Sequence, residues 1–207
     1  LSAGVHGDEP AGSAALLSIV EDGLLDDRFA YRIWPCTNPT GLLRGTRENS
    51  EATDINRTFH SGGRSPEAKA IITANRDRRF VLSLDLHEDR EADGFYCYEP
   101  RGQAAIGPSI LAALDAAGLP VQNLVPQFDL GYPDEAEHLR TLERGRVVAD
   151  FAAEAKFYPG LPYSLYIGRK AAQRVLTLES PATRTWNERI AIHRVAVVAA
   201  IAAVLAK

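Results

Sequence analysis

FVLSLDLHED, residues 80–89, is the stretch on which the reading of the fold turns. Residues 80–86 form an apolar run of strand length, and the run ends abruptly in His87, Glu88 and Asp89. A buried strand that opens onto ionisable groups at its carboxyl end suits a parallel sheet, where ligand sites form beyond that edge. Two other segments share the design: LSAGVHGDE at residues 1–9 and RVLTLES at residues 174–180. Helical spacing of apolar residues predicts helices over 11–25, 66–79, 106–117, 146–158 and 186–207. Ser65 is the expected N-cap of the second. Strands are expected at 31–36, 80–86, within GFYCYEP (94–100), at 121–125 and at 174–178, with Glu179 just past the last. Residues 127–146 are charged and without clear periodicity, TNPTG (37–41) reads as a turn, and 41–65 reads as a long functional loop. Strands alternating with helices predict an α/β fold in three layers, a twisted, mixed but mostly parallel sheet with helices on both faces, as a single domain over 1–207.

The composition narrows the function classes. The chain has 207 residues, 45% hydrophobic and 24% charged, with a net charge of −4. Those proportions are those of an ordinary globular domain, and the acidic balance argues against nucleic acid or an anionic membrane as partner. No apolar run reaches the roughly 18 residues of a bilayer span, and the Ala-rich stretch at 195–205 reads as a closing helix. Cys36 and Cys97 are expected to be buried and reduced, which fits a cytoplasmic setting. The chain has no Met and starts in what reads as the end of a strand, so upstream strands and modified methionines are expected outside these residues.

The three strand ends carry the chemistry. His6, Glu9 and His87 together offer two imidazoles and a carboxylate, a set that suits a catalytic zinc with a fourth position left open. Gly7 leaves room for His6 and Glu9 to aim at one point from a tight turn. Taken alone, H-x-x-E reads more readily as a surface turn, and a lone His after an apolar strand is more often structural. Asp54 reads either as an Asx-turn residue or as the hydrogen-bond partner of a metal-bound imidazole. Glu179 reads either as a turn cap or as a proton-transfer carboxylate at a strand end. Glu88 and Asp89 are expected to point away from His87.

The order of GVHGDE (4–9), NPTG (38–41), GTREN (45–49), DINRTF (54–59), DLHED (85–89) and TLESP (177–181) resembles the zinc carboxypeptidases of the M14 family. It also resembles the deacylases of the same superfamily, aspartoacylase and succinylglutamate desuccinylase. That resemblance implies a zinc carboxypeptidase-like fold and one zinc ion per chain, bound by His6, Glu9 and His87. Asp54 would orient the first imidazole. Asn56 and Arg57 would clamp a substrate carboxylate, for which the planar guanidinium is well shaped. Arg47, with Arg44 as its rival, would stabilise the oxyanion, and Glu179 would act as general acid and base. One of Tyr158, Tyr163 and Tyr166 would cover the substrate; His60, His138 and His193 have no matching role. The implied activity is hydrolysis of an amide next to a free carboxylate, in a small peptide such as a murein peptide or, alternatively, in an N-acyl amino acid. A zinc-binding module without turnover is a third reading. A serine or cysteine hydrolase has no motif to support it.

Overall fold

The computed structural model describes residues 1–60, 63–123, 139–158 and 160–206. Strand β1 (Ser2–Ala3) leads through the His6–Glu9 turn into helix α1 (Ala11–Glu21). Helix α2 (Pro39–Arg44) and a 3-10 turn (Ile55–Arg57) follow, then α3 (Pro66–Asn75), β2 (Ser83–Asp89), β3 (Tyr96–Pro100) and α4 (Gly107–Ala116). The C-terminal half adds β4 (Arg140–Glu143), β5 (Arg146–Ala149), α5 (Phe151–Glu154), α6 (Tyr163–Lys170), β6 (Val175–Pro181) and α7 (Trp186–Leu205). The sheet order is β1-β2-β6-β3-β5-β4. The β1–β2, β2–β6 and β3–β5 pairings are parallel, and β3–β6 and β4–β5 are antiparallel. The sheet is mixed and mostly parallel, as the alternation predicts.

The strand period of two sorts the residues of the central strands between the faces. Leu84, Leu86, Leu176 and Leu178 pack with Leu16 and Ile19 of α1, Ile110 and Leu114 of α4, and Ile192, Val197 and Ile201 of α7. The other face is covered by α3 and α6 through Ile71, Tyr163 and Ile167, around Phe59 and Ile55. Helices on both faces make three layers. Asp85, His87, Thr177 and Glu179 share the face opposite the leucines. Among the described residues no helix is long and apolar enough to cross a membrane.

Several local expectations change. Residues 146–158 begin as strand β5, with Val147 and Ala149 buried alternately, and helix α5 is a single turn behind the Asp150 N-cap. Short β-period runs flanked by charge imitate helical spacing, and only pairing with β3 decides the matter. Residues 31–36 form no strand; Trp34 makes an isolated bridge to Ser2. Val121 likewise makes only an isolated bridge, to Phe95, and Val125 lies outside the described residues. The NPTG turn is the start of α2. Asn38 caps it by accepting the Gly41 N–H at 2.9 Å, Pro39 occupies the first turn, and Gly45 ends it at φ 64°. The 41–65 stretch is therefore partly helical, and α6 is a helix that periodicity had not revealed. Helix α1 stops at Glu21 and α3 at Asn75, each short of its expected end, while Ser65 caps α3 as expected.

Candidate metal centre and active-site cavity

The turn after β1 and the end of β2 meet at one carboxylate. Glu9 Oε1 lies 2.6 Å from His6 Nδ1, and Glu9 Oε2 lies 2.8 Å from His87 Nδ1. One donor atom from each of the three residues falls within 4.8 Å of the others. The turn is narrow because α2 sits against it. A Cβ on Gly7 would come within 2.0 Å of the Gly41 carbonyl carbon, so the glycine makes room for the α2 backbone rather than for the site itself. Glu88 steadies the far side: its carboxylate accepts the Ala11 N–H at 2.7 Å and pairs with Arg189 at 2.6 Å. Helix α1, which has no side-chain cap of its own, is thus capped from β2.

The outer nitrogens of both imidazoles face carboxylates. His87 Nε2 is 3.1 Å from Asp85 Oδ2, and Asp85 is held in turn by the Ser2 hydroxyl at 2.6 Å. Among the described residues the buried His6 Nε2 makes no hydrogen bond, and Asp54 Oδ1 lies 3.5 Å from it. Carboxylates at the Nε2 positions favour protons there, which turns both Nδ1 lone pairs toward Glu9. Lone pairs aimed at a carboxylate repel it unless a cation or extra protons lie between. The donor set therefore fits a divalent cation. Without one, protons take its place. Burial opposes charge on His87, yet Asp85 and Glu9 raise its proton affinity well above the ordinary value. Burial likewise opposes charge on Glu9, but the two imidazoles hold it well below the usual carboxylate range.

Asp54 does both things that its sequence context allows. Its Oδ1 accepts the Asn56 N–H at 2.9 Å, capping the 3-10 turn, and also faces His6. Its Oδ2 accepts from Arg47 Nη2 at 3.0 Å and Nε at 3.2 Å. Burial works against this carboxylate, but His6, Arg47 and Arg57 outweigh it and hold its proton affinity well below normal. Arg47 is thereby fixed beside the centre, with Nη1 3.2 Å from His6 Nδ1. Arg44 is exposed at the end of α2 and does not line the cavity.

A cavity of about 480 Å³ opens over the centre, and Asn56, Arg57, Tyr158 and Glu179 line it with the three donor residues. The amide oxygen of Asn56 accepts the Tyr163 N–H at 2.8 Å, so half of that side chain anchors α6. The Arg57 guanidinium lies 5.2 Å from the Tyr158 ring centroid. Tyr163 is buried against Phe59, and Tyr166 packs on the same ring; Tyr158 is the one of the three that faces the cavity. His193 is buried in α7, as a structural histidine should be, and His138 lies outside the described residues. Cys36 and Cys97 are both free thiols; Cys97 is buried as expected, whereas Cys36 is only partly buried.

Glu179 lies within β6, two residues short of its end, and is paired in register with His87 on β2 and Tyr96 on β3. Burial raises its proton affinity well above the carboxylate norm. His87 opposes the rise, and Glu9, Asp89 and Asp85 add to it. Asp89 does not point away from His87. It shares its face of β2, lines the cavity and accepts the Tyr96 hydroxyl at 2.6 Å. The expectation missed Asp85 as well. Its signal was an acid two residues before His87 in an otherwise apolar strand, which the period of two turns toward the same side.

Residues 1–205 match the model of the succinylglutamate desuccinylase/aspartoacylase catalytic domain. The chain belongs to that family. Carboxypeptidase SOL1 of Arabidopsis thaliana is 36% identical to it over 103 residues, 40% of this chain and 21% of that relative, so the chain spans about a fifth of that protein. A candidate metallopeptidase from Shewanella amazonensis SB2B superposes with a TM-score of 0.73 at 21% identity, covering 98% of this chain and 75% of that one. Murein-tripeptide amidase MpaA from Escherichia coli O157 superposes with a TM-score of 0.59 at 16% identity, covering 96% and 79%. At those identities the structural likeness shows the zinc carboxypeptidase-like fold. The family is one of hydrolases.

Proposed function

We propose that this family member is a zinc-dependent hydrolase that cleaves an amide bond next to a free carboxylate. The supporting observation is the convergence of His6, Glu9 and His87 on one point, with Glu179 in register across the neighbouring strand. His6, Glu9 and His87 would hold one zinc ion. When bound, zinc supplies Lewis acidity, drawing down the pKa of water and polarising the substrate carbonyl. Glu179, with its raised proton affinity, suits a carboxylate that takes a proton from water and passes it to the leaving amine. Zinc nearby would oppose that rise by favouring the ionised carboxylate. Arg47 would donate to the developing oxyanion, a contribution worth roughly 3–4 kcal/mol in comparable sites. Asp54 would keep both Arg47 and His6 in position. Arg57 and the free amide N–H groups of Asn56 would bind the substrate carboxylate.

The first reading is peptidase chemistry on a short peptide with a free C-terminus. The match to the deacylase catalytic domain over residues 1–205 favours a second, hydrolysis of N-acyl amino acids. The two are separated by the zinc-loaded protein acting on C-terminally free dipeptides and on N-acetyl and N-succinyl amino acids, with release of free amine as the readout. Glu179→Gln should retain stoichiometric zinc while hydrolysis drops by several orders of magnitude. Undiminished turnover in that variant would remove Glu179 from the chemistry and favour a different base.

A further inference from the structure

The cavity extends beyond the reacting groups. Thr177 lies two residues before Glu179 on β6 and shares its face, and Tyr98 lies opposite Thr177 as Tyr96 lies opposite Glu179. Two residues along a strand span about 7 Å, roughly the reach of a long side chain from the scissile amide. Besides the reacting groups, the cavity lining includes Tyr98, Thr177, Phe151, Ser164 and Leu165, an apolar and aromatic set with hydroxyls from β6 and α6. Glu154, at the end of α5, lines the cavity although only 2% of it is exposed.

Glu154 Oε1 accepts from Arg140 Nε at 2.6 Å, and the Arg140 guanidinium packs 6.0 Å from the Tyr98 ring centroid. Arg140 does not itself line the cavity. It holds Glu154 from behind, and Oε2 has no hydrogen bond among the described residues. Burial raises the proton affinity of Glu154 in spite of Arg140, so one cation leaves this carboxylate short of stabilisation. A purely structural ion pair would gain from a solid core on every side; this one borders a cavity.

We propose that Glu154 is a specificity-determining residue whose free oxygen takes the ammonium end of an apolar-stemmed side chain on the residue that carries the free carboxylate. The preferred substrate is then an amide of a lysine-like diamino acid. The same wall disfavours acidic side chains, which would meet an anion with Arg140 out of reach. This inference rests on the hydrolase reading above, and its test separates the two.

The zinc-loaded protein is given free L-lysine, L-norleucine and L-glutamate as product-site ligands in calorimetry, and dipeptides ending in each as substrates. Lysine should bind at least tenfold more tightly than norleucine, and glutamate more weakly than either. The same order should hold in kcat/KM, expressed mainly in KM. Glu154→Gln should reduce the lysine-to-norleucine ratio at least tenfold. Should that variant unfold because the Arg140 guanidinium loses its carboxylate, the double variant Glu154→Leu/Arg140→Met removes both charges together and should abolish the preference. Equal binding of lysine and norleucine by the wild-type protein refutes the subsite, as does a ratio that survives either variant. Lysine preference in binding without hydrolysis of any substrate upholds the subsite and overturns the reaction. Hydrolysis that ignores the side chain does the reverse.

Discussion

Replacing Asp85 by Asn removes one negative charge from behind the second imidazole while nearly preserving its shape. Asp85 is 2% exposed, and its carboxylate sits between His87 Nε2 at 3.1 Å and the Ser2 hydroxyl at 2.6 Å. An amide can still accept from His87 or from Ser2, so packing should survive. What disappears is the charge that fixes the Nε2 tautomer and increases the basicity of Nδ1. Losing such a partner typically weakens metal binding 10- to 100-fold, or about 1.4–2.7 kcal/mol. Protons compete for the same nitrogen. In the metal-free chain Asp85 and Glu9 raise the proton affinity of His87 well above its ordinary value, and a protonated imidazole is no ligand. Zinc affinity should therefore fall about tenfold for each pH unit of acidification below that raised value, with one proton released from His87 per ion bound. Asp85→Asn loosens the proton as well as the metal. Its deficit should be greatest in the alkaline range and shrink toward acid. Competition with a chromophoric chelator from about pH 6 to 9, beside thermal unfolding of both proteins, measures this. Affinity within twofold of wild type across the whole range, in a folded variant, would refute the role given to Asp85.

Two further outcomes can be measured on the folded protein. Gly7→Ala places a methyl 2.0 Å and 2.3 Å from the backbone of Gly41 and Leu42, neither of which can swing aside. It should cost at least about 1–3 kcal/mol and weaken zinc binding as the turn opens, seen as a lower Tm and a lower metal content; an unchanged Tm would show that α2 is loosely docked. His193 is fully buried in α7, and among the described residues its nitrogens make no hydrogen bond of ordinary geometry, although the nearby His87 backbone favours its proton. Burial above all holds its imidazole down to about 3. The unfolded chain binds that proton first, so stability is intact above the ordinary value near 6.5 and is lost as pH falls toward 3. By pH 5 the loss is about 2 kcal/mol. His193→Leu should flatten the urea-derived stability curve by that amount relative to wild type, and parallel curves would mean that the imidazole finds a proton acceptor.

The residues proposed to bear the chemistry were legible because their types and order are constrained locally. A glycine-tight turn carrying His6 and Glu9, an apolar strand ending in His87, and a strand carrying Glu179 each announce themselves within about ten residues. The period of two even contained Asp85, once the strand is known to hold it. The helix-capping role of Asn38 and Pro39 was in the text too, although it read as a turn. What the chain order could not convey is anything that depends on a partner far away in sequence. Strand β5 looks helical until it pairs with β3, and Glu88 becomes the cap of α1 only when β2 lies beside it. Gly7 is needed because Gly41 approaches it, and Arg47 rather than Arg44 faces the centre because Asp54 accepts from its Nε and Nη2. The Glu154–Arg140 pair at the cavity wall belongs to the same class. Side-chain chemistry and short-range periodicity travel with the sequence; distances between segments are set only when the sheet registers and the core closes. In this protein the ingredients of the site were written in order along the chain, and the tertiary packing decided which of them meet.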